Sequence, residues 1–214
     1  MNNHPEQPAD DSCGTGRWPS SRAGLAAVWL ALVALAVIGR LWQPSWNGSP
    51  LWNATPMAAV ALAAGYVFPS ALVAASVPVV ALLVSDLALP AHDNIPVALV
   101  VLAATAWPVI LGATGLLGTA RPRWFAVLGG SLASSLVFFF STNVAHWLFA
   151  SDYPRSAAGL VECLVAALPF YRWMPIGDVA WTVVVFAILV AVRAAVGLDA
   201  ARPVPQAVRV RPLD

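Results

Sequence analysis

From Leu25 to Val196 the chain returns again and again to apolar runs about as long as a bilayer is thick. An α-helix rises 1.5 Å per residue, so ~20 apolar residues cross a hydrocarbon core of about 30 Å. The runs are Leu25–Leu41, Pro56–Phe68, Pro69–Leu89, Ile95–Gly118, Trp124–Phe149 and Pro175–Val196. Composition agrees: 60% of the 214 residues are hydrophobic and 10% are charged, where soluble domains carry about 45–50% apolar residues. Lipid offers no partner to a free backbone N–H or C=O, so the expected class is an all-α integral membrane protein. Six spans use up the length and leave no room for a separate soluble domain of ordinary size.

The second run is the one that length questions. Thirteen residues reach only about 20 Å, although Thr55-Pro56 is a good helix start, a cap residue followed by Pro at the first helical position. Arginine placement tests it, because short Arg-rich loops stay cytoplasmic. With six spans, eight arginines (17, 22, 121, 123, 193, 202, 209 and 211) share one side and Arg40, Arg155 and Arg172 the other. Removing the second crossing abolishes that bias. The expectation is therefore a six-transmembrane-helix bundle with both termini cytoplasmic. Pro78 is expected to kink the third helix. Between the fifth and sixth helices, Pro154–Tyr171 holds an apolar stretch too short to span, broken by Glu162 and ended by Pro169, and is read as a short outer re-entrant or interfacial helix.

The domain division follows: residues 1–22 a disordered cytoplasmic tail, 23–197 the membrane domain, 198–214 a cytoplasmic C-terminal tail. The first run follows Arg17 and Arg22 as a signal peptide's would, but it ends in IGRLW without an A-x-A cleavage site, so it is read as a retained helix. All eleven basic residues are Arg, which points to a GC-rich bacterial genome and hence to the bacterial cytoplasmic membrane.

This topology sorts the polar residues by depth. Arg40, Asn53, Thr55, Asp86, Asn143, His146 and Asp178 all fall toward the outer side, one or two turns deep, above inner halves made of Ala, Val, Leu and Gly. On the fifth helix, Ser131, Ser135, Thr142 and His146 form a stripe about 60° wide with Asn143 on its shoulder. Such a stripe faces other helices or a wet cavity rather than lipid. Trp46, Trp52, Trp147 and Tyr171 add stacking area at the same end, and Trp42, Trp46 and Trp52 crowd one loop that would serve as a lid. Bland readings stand beside these. Boundary aromatics anchor helices in the interface, serines and threonines bond between helices, and Arg40 snorkels or pairs with Asp86 or Asp178.

Several chemistries are excluded or unsupported. A formal net charge of +1 gives no reason to expect nucleic acid. Cys13 and Cys163 sit in no metal-ligand spacing, and His4, His92, Asp93 and His146 make no His-x3-His pair, so no metal or other cofactor is expected. There is no GxSxG, no GxGxxG and no phosphate-binding loop, so no enzymatic motif is found and ATP hydrolysis would have to come from a partner. A pairing of Ser135 or Ser141 with His146 is the one hydrolase-like arrangement that can be drawn.

One set of residues carries a resemblance: Asn53-x-Thr55-Pro56, Ser85-Asp86-Leu87, Ser134-Ser135 followed by FFxxTN ending at Asn143, Trp147, Tyr153-Pro154, Gly159-Leu160 with Cys163, ALPF at 167–170, and Gly177-Asp178. From about Arg40 to Phe186 the chain resembles an uncharacterised bacterial family of six-helix membrane proteins, a domain of unknown function. That family in turn looks like the substrate-binding S components of energy-coupling-factor transporters. The resemblance implies capture of a vitamin-like micronutrient from outside and docking on a separate transmembrane coupling subunit with its ATPases, through small-xxx-small positions such as Ala23, Ala27 and Ala31. The chain departs from the family pattern at Ala88-Leu89-Pro90, after Ser-Asp-Leu, and from metal-specific S components in beginning MNNH.

The expectation is thus a membrane protein, surrounded by lipid, that binds a small solute. Its site is expected at Asn143, Asp86, Asp178, Arg40, Asn53, His146, Trp46, Trp52, Trp147 and Tyr171. Its rivals are a membrane scaffold or assembly factor whose polar network only holds helices together, and a membrane hydrolase using His146.

Overall fold

The computed structural model describes residues 21–42, 45–46, 49–51, 53–89, 94–119 and 121–196. Both expected tails lie outside the described residues, apart from Ser21 and Arg22 at the start of the first helix. Eight helical segments follow in order: α1 Arg22–Trp42, α2 Met57–Val67, α3 Ala71–Asp86, α4 Ile95–Ala106, α5 Pro108–Ala113, α6 Trp124–Phe149, α7 Ala157–Tyr171 and α8 Met174–Ala195. Between α1 and α2, β1 Ser45–Trp46 pairs antiparallel with β2 Ser49–Pro50. Trp107 joins α4 to α5 in right-handed helical conformation, so Ile95–Ala113 is one rod. Its local break is at Pro108, which has no N–H to give the ladder.

Four of these helices are long and apolar enough to cross a membrane: α1, the α4–α5 rod, α6 and α8. Their outward surfaces carry large apolar side chains, among them Phe125 at 97% exposure, and the shorter α3 does the same with Leu72 at 84%. Water would not tolerate so continuous a greasy surface, whereas lipid does. α2, α3 and α7 are shorter apolar helices.

The helix ends follow local chemistry. Ser70, Asn94 and Ser156 cap α3, α4 and α7 by accepting from the N–H three residues on, and Pro follows in the first turn of α4. Pro78 is kept inside α3, buried against the core. α7 lies within the expected Pro154–Tyr171 and ends with it at Tyr171; Glu162 and Pro169 interrupt its apolar stretch but not the helix, and both side chains are exposed.

α2 stands at the centre. Nine of its eleven residues are buried, and it packs on α1, α3, α5, α6 and α8. It needs no lipid-matching length because protein rather than lipid surrounds it. Its closest crossing is with α5, where a Cβ added to Gly65 would overlap the Val109 carbonyl and one added to Gly112 the Leu62 carbonyl. This is close packing of backbones through small residues, the usual means of joining helices where lipid is as apolar as leucine. Ala23, Ala27 and Ala31, by contrast, are exposed on the outer face of α1.

Directions can be read from side-chain bonds. Trp29 donates to Ser76 Oγ at 2.9 Å, and eleven residues further along α1 Arg40 reaches Asp86, ten residues further along α3. Two contacts in step make α1 and α3 parallel neighbours. Asn94 Nδ2 donates to the Phe149 carbonyl, joining the start of α4 to the end of α6, and Trp181 Nε1 donates to the Ala54 carbonyl, joining the start of α8 to the start of α2.

Candidate functional site

A cavity of about 430 Å³ opens among all eight helical segments. Five of the residues expected at a site line it: Arg40 from α1, Asn53 from the segment before α2, Asn143 from α6, Tyr171 from α7 and Asp178 from α8. Thr55, Thr105, Ser134 and Thr142 add hydroxyls to the wall, and Met57, Phe138, Phe139, Phe170 and Met174 add apolar and aromatic surface.

Arg40 is fixed on three sides. Its Nη1 donates to Asp86 Oδ1 at 2.5 Å, to the Leu82 carbonyl at 3.3 Å and to Ser85 Oγ. Ser85 is wholly buried and also gives its own hydroxyl to the Ala81 and Leu82 carbonyls. Of the partners weighed for Arg40, the structure thus forms the pair with Asp86. Asp86 stands behind the arginine and is not itself on the cavity wall.

Asp178 is 5% exposed and accepts from Ser135 Oγ at 2.6 Å. Beside this bond Thr182 Oγ1 donates to Ser131 Oγ at 3.1 Å, so two buried polar bonds tie α8 to α6. Asp178 is deeper than one or two turns: Ser135 lies fourteen residues, about 21 Å, from the Phe149 end of α6. The reason is that α7 runs back along α6 before α8 begins. Cys163 Sγ lies 3.5 Å from the Asn143 carbonyl, and the Tyr171 ring stacks on Phe139 at 4.5 Å between centroids. Gly177 allows this start for α8, since an added Cβ would come 2.6 Å from Ala54 Cα.

Asn53 holds φ 61°, the left-handed region that Asn tolerates better than most residues. Asn143 gives its Nδ2 to the Phe139 carbonyl, one turn back.

The other expected residues are placed elsewhere. His146 pairs through Nε2 with Asp152 Oδ2 at 2.9 Å and is about two-fifths exposed. Trp147 donates to the Pro154 carbonyl, and Arg155 to the Ala150 carbonyl at 2.5 Å. These bonds pin the α6–α7 connection and do not line the cavity. Trp52 lies outside the described residues, as do His92 and Asp93, and Trp46 is described only by its backbone pairing with Ser49. The hydrolase-like pairing does not form: Ser135 serves Asp178, and Ser141 gives its hydroxyl to the Val137 and Phe138 carbonyls. Among the described residues no group of three His, Cys, Asp or Glu side chains is arranged to hold a metal.

Thr105, Ser134, Met57 and Met174 were missing from the expected site. The TN pair of FFxxTN signalled Thr142, and Thr55 belongs to the Asn-x-Thr-Pro start, but a lone Thr105 in an Ala-Val helix carries no spacing signal.

Over residues 21–202 the sequence matches the family described as "Family of unknown function (DUF6580)", and the chain belongs to it. No curated protein and no solved structure matches the chain.

Proposed function

We propose that this protein captures a small polar or aromatic solute in an outward-facing cavity and passes it inward, as the S component of an energy-coupled uptake system does. The observation that carries this reading is the convergence of Arg40, Asn53, Asn143, Tyr171 and Asp178, from five separate parts of the chain, on one 430 Å³ hollow. Ligand cavities run about 300–1,000 Å³, mostly apolar with a few placed polar groups, and this wall has that make-up. Energy would come from a separate coupling subunit and its ATPases, and the vitamin-like class of solute rests on the resemblance alone.

The membrane arrangement that goes with this reading has six crossings, both termini cytoplasmic, in the bacterial inner membrane. Parallel α1 and α3 support it, because α2 must then carry the chain back between them. The eight-to-three arginine bias supports the orientation. α7, at fifteen residues or about 22 Å, returns alongside α6 as an outer re-entrant helix would.

Native mass spectrometry of the purified protein tests the reading, with a co-purified small molecule as the expected result. Asn143→Ala and Asp178→Ala should weaken binding of that molecule while the fold persists, and unchanged affinity in both removes the site. A second reading, a structural scaffold, is favoured by one observation: Arg40–Asp86 and Ser135–Asp178 each tie two helices together. Under it no small molecule raises the unfolding temperature.

A further inference from the structure

The charges at and just behind the cavity wall do not balance. Arg40 is its one basic side chain among the described residues, and Asp86, Ser85 and the Leu82 carbonyl already hold that guanidinium from α3. Asp178 has no such partner. Among the described residues no cation lies within ion-pair distance of it, and its one hydrogen bond comes from the neutral Ser135 hydroxyl. One positive group thus stands against two carboxyl groups. Asp178 is also the more enclosed of the two, at 5% exposure on the cavity wall.

A buried carboxyl without a counter-charge is costly unless something neutralises it, and acidic side chains inside a membrane bundle pair or serve ligands. Phe138 and Phe139 from α6 and Phe170 and Tyr171 from α7 flank the same hollow. Aromatic faces attract a cation and repel an anion through the ring quadrupole.

We propose that the cavity is built for a small organic cation: a protonated amine or cationic ring on a flat aromatic body, its positive end on Asp178 and its body among the aromatic side chains. An anionic solute would meet Asp178 with its own sign and find Arg40 engaged. This inference rests on the reading of the cavity as a solute site and names the solute's charge class.

The test uses full-length protein in lipid nanodiscs and three probes with one aromatic body: tryptamine, its alcohol counterpart tryptophol and its carboxylate counterpart indoleacetate. Calorimetry is expected to show tryptamine binding about tenfold or more tighter than tryptophol, and no binding of indoleacetate. Asp178→Asn should bring tryptamine and tryptophol to the same affinity. The wild-type comparison stands alone if that variant fails to fold. Tryptophol or indoleacetate binding as tightly as tryptamine, or a co-purified molecule that is neutral or anionic, overturns the cation assignment and leaves solute capture intact. Absence of binding by all three, with no co-purified molecule, overturns both.

Discussion

Arg40 could be removed more cheaply from a lipid interface than from this structure. The side chains of Arg40 and Asp86 are 19% and 24% exposed, and Ser85 beside them is fully buried. Arg40→Ala leaves Asp86 without its counter-charge, a loss of about 1–3 kcal/mol by the usual cost of an orphaned buried partner. Asp86→Ala costs similarly, and the double variant should cost less than the two together, because the pair is lost only once. Reversible unfolding in mixed detergent measures all three; strict additivity would mean that the pair contributes nothing. Cys163 gives a second residue-scale outcome. Burial, and then the charge of Asp152, push its thiol up, and the thiolate is the species that alkylates. On a Cys13→Ser background, maleimide labelling of folded protein should therefore be slow and keep rising with pH beyond the ordinary thiol range of about 8.5. Labelling that levels off below that range would contradict the buried placement.

The crossing of α2 with α5 sets the outcome for glycines. Gly65 and Gly112 meet backbone, which no rotamer change relieves, so Gly65→Ala and Gly112→Ala should each cost at least the 1–3 kcal/mol of ordinary overpacking. Gly129 on α6 meets nothing within 4 Å, and Gly129→Ala should be neutral or stabilise by up to about 1 kcal/mol through helix propensity. Unfolding midpoints in one detergent compare the three. Elements like these are partly legible in the sequence. The bounds of α6, Trp124 and Phe149, can be read there, since a charged loop precedes it and polar residues follow. The central position of α2 was not legible, because lipid and protein interior are both apolar and the sequence shows no period separating them. For the same reason Gly65 and Gly112 were invisible, while the alanines of α1 invited attention from an exposed face. In the site, charged and amide residues announced themselves by their cost in lipid. Thr105 and the methionines, which cost little there, did not.

For the molecule as a whole, the consequential fact is that α1 and α3 run side by side in the same direction. A chain that leaves the end of α1 and re-enters α3 at its start has to travel back the length of the bundle, and α2 is the only described helix between them. Enclosure lets a helix of eleven residues serve here, because nine of them are buried against neighbouring helices rather than facing lipid. The topology that follows is open to a labelling experiment on a background in which Cys13 and Cys163 are replaced by Ser. Single cysteines at Leu51→Cys and Arg155→Cys should react with a membrane-impermeant maleimide in intact spheroplasts. Those at Pro69→Cys and Arg121→Cys should react only after permeabilisation. Residues 51 and 69 flank α2, so equal reactivity at both would show that it does not cross, and would also dissolve the arginine asymmetry on which the proposed orientation rests. With opposite reactivity, Arg40, Asn53 and Asn143 share the outer side with Arg155, and the route from outside to Asp178 lies along the cavity wall they form.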